Sequence, residues 1–322
     1  MTVCAPFRGR FLLHGPKMNN KEPNKYELPQ WPLNSECVNR DKESENRIPN
    51  IVHFVYGLEK QNYDFLFAYY LSILSAKLIN APDKIYFHYS YEPTGKWWEE
   101  TKKIVELNHI DSPKTLGGKD IFHIAHKADK VRLEVIYKFG GVYFDIDTIC
   151  VSPYKHLLKH RCVMGTEQET YGKPVRLCNA VIFAEPKYKF IKKWIDSAYD
   201  SFDSEDWASY AVDAPTKLYE ENKDLVHIEK ASSFFCPSYN QIYDIFVHEK
   251  EIPIELIKLN LWEARQRESR KGKEAFSNPN KSKTSIISQI LGFWWAESWP
   301  ETLYGKIMNK IKHLEYEQRK AK

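Results

Sequence analysis

Apolar positions along the chain follow two rhythms, short unbroken runs and longer stretches repeating about every 3.6 residues, and their alternation predicts the order of elements. Ile51 to Tyr56 (IVHFVY) is a β-branched and aromatic run between Pro49 and Gly57, the pattern of a buried first strand. Residues 62–80 carry apolar groups at helical spacing and stop before Ala81-Pro82-Asp83, and Lys84 to Tyr89 (KIYFHY) reads as the next strand. Residues 96–107 predict a second helix. Over 120–139 Asp120 stands at the N-cap position, and Ile121, Ile124, Ala128, Val131, Val135 and Phe139 form one apolar stripe. Gly140 and Gly141 end that helix and turn the chain into GVYFDIDTI, a further strand. RCVMGTE and LCNAVIFAEP predict two more strands, with helices near 187–200 and 206–221. Strands separated by helices imply an α/β fold with a mostly parallel central sheet.

Outside this alternation the pattern changes. Residues 1–46 are rich in Pro, Asn, Lys and Glu without a periodic apolar face, which predicts an extended arm. The principal domain is expected over 47–300. Its one long polar stretch, 263–285, is too long for an ordinary connection and is either functional or disordered. Over 301–322, Leu303, Ile307, Ile311 and Leu314 recur at helical spacing among lysines, an amphipathic basic helix whose apolar side is either solvated or suited to peripheral contact with an anionic membrane.

Composition narrows the classes. With 322 residues and 43% hydrophobic positions the chain is long enough to bury a large core. A net charge of +4, with acids and bases interleaved, argues against a nucleic-acid partner. The six cysteines include no C-x-x-C pair and read as free thiols, which fits a reducing compartment. Neither a signal peptide nor a stretch of about 20 apolar residues is present, so the expected setting is soluble and cytoplasmic.

The chemistry concentrates where the apolar pattern is broken. If the strand runs on through 147, Tyr143, Asp145 and Asp147 share one face and Val142, Phe144 and Ile146 the other. The two aspartates would then lie about 6.5 Å apart at ~3.3 Å rise per residue. Paired carboxylates at the end of an apolar strand repel each other and lose hydration, and a hard divalent cation such as Mn²⁺ or Mg²⁺ resolves both costs. The alternative is that both acids have left the strand as turn residues. Asp129 and Arg132, three apart on the preceding helix, face the same cleft or form a surface ion pair.

Residues 128–147, ADKVRLEVIYKFGGVYFDID, resemble the S-D-x-x-R-x-x-x-L-x-x-x-G-G-x-Y-x-D-x-D signature of the DXD-containing sugar transferases, glycosyltransferase family 32. Ala128 replaces the family's Ser. IPNIVHFVYG (48–57) is similar to the family's opening strand, Asn179-Ala180-Val181-Ile182 to its N-A-x-x strand, and Trp295-Ala296-Glu297-Ser298-Trp299 to its closing H-W-A-x-S-W. Trp294 stands where many relatives have the His. The resemblance implies a GT-A type, Rossmann-like nucleotide-diphospho-sugar transferase fold and a retaining transfer from a UDP- or GDP-sugar donor to a glycan or other hydroxyl acceptor. It implies catalytic roles for Asp145, Asp147, Asp129 and Arg132, with Asp145, Asp147 and Glu297 around Mn²⁺ or Mg²⁺. Val55 and Tyr56 would meet the base, Tyr143 the nucleotide, Asn179 the sugar, and Ser298 and Trp299 the β-phosphate. Segment 263–285 becomes a lid ordered by the donor. Anchored relatives being secretory, a cytoplasmic, bacterial or viral setting is expected.

Two other readings fit parts of the chain. VYFDIDTI also fits the h-h-h-D-x-D-x-[TV] signature of haloacid-dehalogenase-like Mg²⁺-dependent phosphatases, but the chain has no downstream G-D or D-D pair. A carbohydrate-binding relative without turnover is the third. His123 and His126, spaced i,i+3, lack any zinc pattern, and Gly117-Gly118-Lys119 lacks the remainder of a phosphate loop and reads as a plain turn.

Overall fold

In a computed structural model of the chain, the described residues are 46–167, 176–235, the backbone of 256–258 and, near the C-terminus, 311, 313–317 and 320. The elements are β1 (Ile51–Val55), α1 (Phe67–Asn80), β2 (Lys84–Tyr89), α2 (Lys96–Lys102), β3 (Glu106–His109), β4 (Thr115–Leu116), β5 (Lys119–Asp120), α3 (Ile124–Phe139), β6 (Gly141–Phe144) and β7 (Thr148–Cys150). They continue with β8 (Cys162–Thr166), β9 (Leu177–Ala184), α4 (Lys189–Asp196), α5 (Ala198–Ser201), a π-helical turn Ser209–Asp213, α6 (Ala214–Glu221), β10 (His227–Glu229), α7 (Ala231–Phe234) and β11 (Leu256–Lys258). The predicted arm, residues 1–45 of it, and the polar segment 263–285 lie outside the described residues.

Seven strands form the main sheet in the order β10-β8-β9-β6-β1-β2-β3. Pairings β1–β2, β1–β6, β2–β3 and β8–β10 are parallel, while β9 runs antiparallel to both β6 and β8. The expected mostly parallel α/β sheet is therefore present. Side chains alternate faces along each strand, and two cores result. Val52, Phe54, Val142, Phe144, Val181 and Phe183 pack with α1 on one face. Tyr143, Ile182 and Ala184 pack with α3 and α4 on the other.

Two boundaries differ from the sequence reading. The helix expected over 96–107 ends at Lys102, because the chain enters β3 at Glu106. The helix expected from Asp120 begins at Ile124: Lys119–Asp120 pairs with Thr115–Leu116 in a hairpin, and His123 takes the N-cap position. Gly117 (φ 56°) and Gly118 (φ 77°) make the two-residue turn of that hairpin, which agrees with the plain-turn reading of Gly-Gly-Lys. The α3 stripe also rotates. Ile124 is exposed, whereas Asp129 and Arg132 are buried together with Leu133 and Ile136.

The Gly140-Gly141 junction is sterically exclusive. Gly140 (φ 65°) donates its N–H to the Ile136 carbonyl at 2.8 Å and ends α3. Gly141 has φ 101°, and a Cβ there would lie 2.3 Å from the Ile51 carbonyl oxygen of β1. The close approach lets β6 pair with β1 directly after the helix.

A chain of buried polar rings crosses the same region. His53 Nε2 lies 2.9 Å from the Gly140 carbonyl oxygen, His53 Nδ1 3.0 Å from His88 Nε2, and Asn108 Nδ2 2.7 Å from His88 Nδ1. A carbonyl only accepts, so His53 Nε2 carries its proton; Nδ1 then accepts from His88, which in turn accepts from Asn108. Both rings are neutral in this arrangement. Burial lowers the His53 pKa to about 4 against the pull of the Gly140 bond, and burial together with the neighbouring His53 lowers His88 to about 3.

The described C-terminal residues are helical, and Ile311, Leu314 and Glu315 dock on this domain. Ile311 is fully buried in the α1-side core, Leu314 packs against it, and Tyr70 donates its hydroxyl to Glu315 Oε1 at 3.2 Å. The apolar side at 311 and 314 is thus used within the molecule, which corrects the solvated reading and leaves membrane contact through these two positions unsupported. No helix among the described residues is long and apolar enough to cross a membrane. Cys150, Cys162 and Cys178 are free thiols, as expected.

Candidate active site

β6 ends at Phe144, so Asp145 and Asp147 are not both strand residues. The Asp145 N–H still donates to the Ala180 carbonyl of β9 at 2.9 Å, extending the pairing by one residue. Thr148 then donates both its N–H (3.1 Å) and its hydroxyl (2.8 Å) to the Asp145 carbonyl, which closes a β-turn with Asp147 at its third position. The alternation that was to carry both aspartates holds through Ile146, which packs with the Phe144 side, and gives way to the turn at Asp147.

Arg132 connects this turn to α3. Its Nη1 lies 3.0 Å from Asp145 Oδ1 and donates to Asn179 Oδ1 (2.9 Å) and to the Asn179 carbonyl (3.0 Å), while Nη2 lies 3.3 Å from Asp129 Oδ1. Asn179 Nδ2 donates to Asp129 Oδ1 at 2.7 Å and closes the network. Tyr143, buried in β6, donates its hydroxyl to Asp145 Oδ1 at 2.8 Å, and its ring lies under the guanidinium, 4.7 Å from Cζ to centroid. Three separated parts of the sequence thus meet at the carboxyl end of a central strand, where α/β sheets place their ligands.

Electrostatics follows from burial. Asp129 is buried, and loss of hydration raises its pKa to about 6 against the opposing pull of Arg132 and the Asn179 hydrogen bond. Burial alone would lower the Arg132 pKa, but Asp145, Tyr143 and Asp129 outweigh it, and the net shift is upward. Tyr143 is held well above its ordinary value by burial, so it stays a hydrogen-bond donor. The Asp145 side chain keeps 26% of its surface exposed and Asp147 is half-buried, so the acidic turn faces outward from a rigid, charge-paired base.

Carboxylate oxygens at this turn are the donor type that Mn²⁺ and Mg²⁺ take. Among the described residues no group of three His, Cys, Asp or Glu side chains is placed to hold an ion. Asp145 and Asp147 would supply two of the ligands of such a cation. Glu297, Ser298, Trp299 and Trp294 lie outside the described residues.

At the end of β1, Val55 is buried. Tyr56 packs on Phe65 and Tyr69, with ring centroids 5.3 and 5.1 Å away, and its hydroxyl lies 3.4 Å from that of Tyr63. A residue the sequence did not single out is Tyr210. It lies in the π-helical turn, buried against Trp194, and is near enough to Asp129 for that charge to raise its pKa further beyond what burial does. No spacing signal could have found it, because it joins the site only through packing on α3.

An α/β sheet with paired acids and a buried arginine at a strand's carboxyl end has its cluster where such sheets bind ligands, and similarity narrows the class. Residues 52–164 match the family described as glycosyltransferase sugar-binding region containing DXD motif. Glucan organizing enzyme 1 of Cryptococcus neoformans var. grubii serotype A is 34% identical over 203 residues, 60% of this chain and 55% of that protein. An uncharacterized Arabidopsis thaliana protein is 27% identical over 139 residues, 40% of this chain and 21% of that one. The chain thus spans about half the length of the first relative and about a fifth of the second. With a fungal relative, a bacterial or viral origin is doubtful. Among solved structures, PaToxG glycosyltransferase (TM-score 0.41, 22% identity, 55% of this chain and 70% of that one) and the galactosyltransferase LgtC (0.35, 15%, 64% and 85%) are similar. These matches do not favour the phosphatase or the inactive carbohydrate-binding reading.

Proposed function

We propose that the chain is a retaining, metal-dependent hexosyltransferase that moves a sugar from a UDP- or GDP-sugar to a glycan hydroxyl. The observation that carries the reading is the buried Arg132 clamp, which fixes Asp145 while leaving its carboxylate partly open beside Asp147. A divalent cation bound there would neutralise the leaving diphosphate. Asp145 and Asp147 hold the cation side of the donor. Asp129, Arg132 and Asn179 form the wall against which the sugar is oriented, and Tyr143 keeps the Asp145 carboxylate in place. Val55 and Tyr56 border the base, Glu297 adds to the metal shell, and Ser298 and Trp299 complete the phosphate side, with 263–285 closing over the donor. Retention follows from the family resemblance, with the departing phosphate assisting a front-face transfer. The name of the fungal relative makes a glucan the first acceptor to test.

A thermal-shift series with UDP- and GDP-sugars, each with and without Mn²⁺, tests this. A ligand bound only by the folded state raises Tm, and one hundred-fold above its Kd it adds about 2.7 kcal/mol. The shift is expected for one donor with metal and not with EDTA, and Asp147→Asn should abolish both the shift and transfer. Full transfer by Asp147→Asn without metal would refute the assignment.

A further inference from the structure

Around the N-terminal end of α3 three aromatic side chains are exposed that the donor site does not use. Trp207, Tyr199 and Phe122 are 51%, 72% and 63% exposed. Phe122 precedes the α3 N-cap; Tyr199 lies against the Gly118 hairpin turn, where a Cβ would come within 3.7 Å of its ring; and the Trp207 ring lies 6.3 Å from that of His123 and 6.0 Å from that of His126.

The loop that carries Trp207 is built, not loose. Asp203 Oδ1 accepts the Glu205 N–H and Asp206 Oδ1 the Ala208 N–H, both at 2.9 Å, and the Asp203 N–H donates to Ser209 Oγ at 3.1 Å. His126, 1% exposed and packed edge-on against Phe202 at 5.1 Å, has neither ring nitrogen hydrogen-bonded within the protein. A buried ring with both nitrogens unpaired is costly and marks a place where a hydroxyl-bearing ligand or its water is expected.

Continuity with the transfer site is direct. His126 and Asp129 are three residues apart on α3 and share a face. Trp207 and Tyr210 are likewise three apart, and Tyr210 lies near Asp129. An acceptor must sit beside the donor sugar, and this surface adjoins it by one helical turn.

We infer that Trp207 is the platform on which a neutral saccharide acceptor stacks, its hydroxyl rim directed to Asp203, Asp206 and His123. A pyranose has a C–H face that covers an aromatic ring and hydroxyls at its edge that need acceptors. The two carboxylates repel anionic lipids and phosphorylated ligands, which favours the neutral sugar over a membrane surface. The inference rests on the sugar-transfer reading and names the acceptor side of the same site.

Titration calorimetry of the full chain with maltose, cellobiose and laminaribiose, in the presence of Mn²⁺ and UDP or GDP, tests it. Stacking on an aromatic ring is worth on the order of ten-fold in affinity. Trp207→Ala should weaken saccharide binding by about that factor and Trp207→Phe should restore most of it. Donor affinity with Mn²⁺ should move by less than about two-fold, since no donor contact is removed. Saccharide binding unchanged in Trp207→Ala, or no binding of any of the three by the wild-type chain, would overturn the platform. So would loss of self-association or vesicle binding in Trp207→Ala in place of saccharide binding. A wild-type chain that binds no nucleotide or donor sinks the transfer reading, a different result from one that binds donor and ignores Trp207.

Discussion

At Arg132 one permanently charged guanidinium meets the buried Asp129 and the half-open Asp145, and its Nη1 is also spent on both oxygens of Asn179. Removing it leaves a buried carboxylate without its counter-charge, which costs about 3–5 kcal/mol in such pairs. Arg132→Ala is therefore expected to lower the unfolding free energy read from a urea curve by that amount and to abolish donor binding. Arg132→Lys keeps the charge but loses the fork, so it should recover part of the stability and little of the binding, measured by the same unfolding curve and a donor titration. The sequence offered Asp129 and Arg132 equally as a surface ion pair. Only the packing of α3 on β6 and β9 decides that they are buried, because Ile124, not the acid, faces water.

Between α3 and β6 the glycine pair sets how helix and strand are joined. Non-glycine residues held at strongly positive φ cost about 1–3 kcal/mol, and at Gly141 a Cβ would also meet the Ile51 carbonyl at 2.3 Å. Gly141→Ala should therefore destabilise by at least about 2 kcal/mol and, by shifting β6 against β1, weaken metal and donor binding as well. Chemical denaturation together with Mn²⁺ titration measures both; unchanged stability would contradict the close contact. The glycine pair and the strand that follows are legible in GGVYFDIDTI, since helical periodicity stops there and an apolar run begins. The turn at Asp147 was not, because its closure depends on the Thr148 hydroxyl and N–H reaching back to the Asp145 carbonyl.

Across the whole molecule the histidine chain ties β1, β2 and β3 to the end of α3, and it sets a pH limit on the fold. Both folded pKa values, about 4 and about 3, lie below the unfolded 6.5. Stability from this pair is thus fully present above about pH 6.5 and is lost as pH falls toward the folded values. Between pH 6.5 and 5 the loss is expected to be on the order of 3 kcal/mol, read as a falling urea midpoint, and His53→Gln with His88→Gln should flatten that slope. A slope identical in the double variant would refute the assignment. Sequence alone determined the β-α-β alternation, the helix-glycine-strand passage and the acidic pair after it, since these follow from local periodicity and backbone sterics. Tertiary structure decided which face of α3 is buried, that the C-terminal helix docks through Ile311, and that Asn179 closes on Asp129 and Arg132. Each of those depends on contacts between residues far apart in the chain, where burial rather than spacing fixes which polar groups must pair.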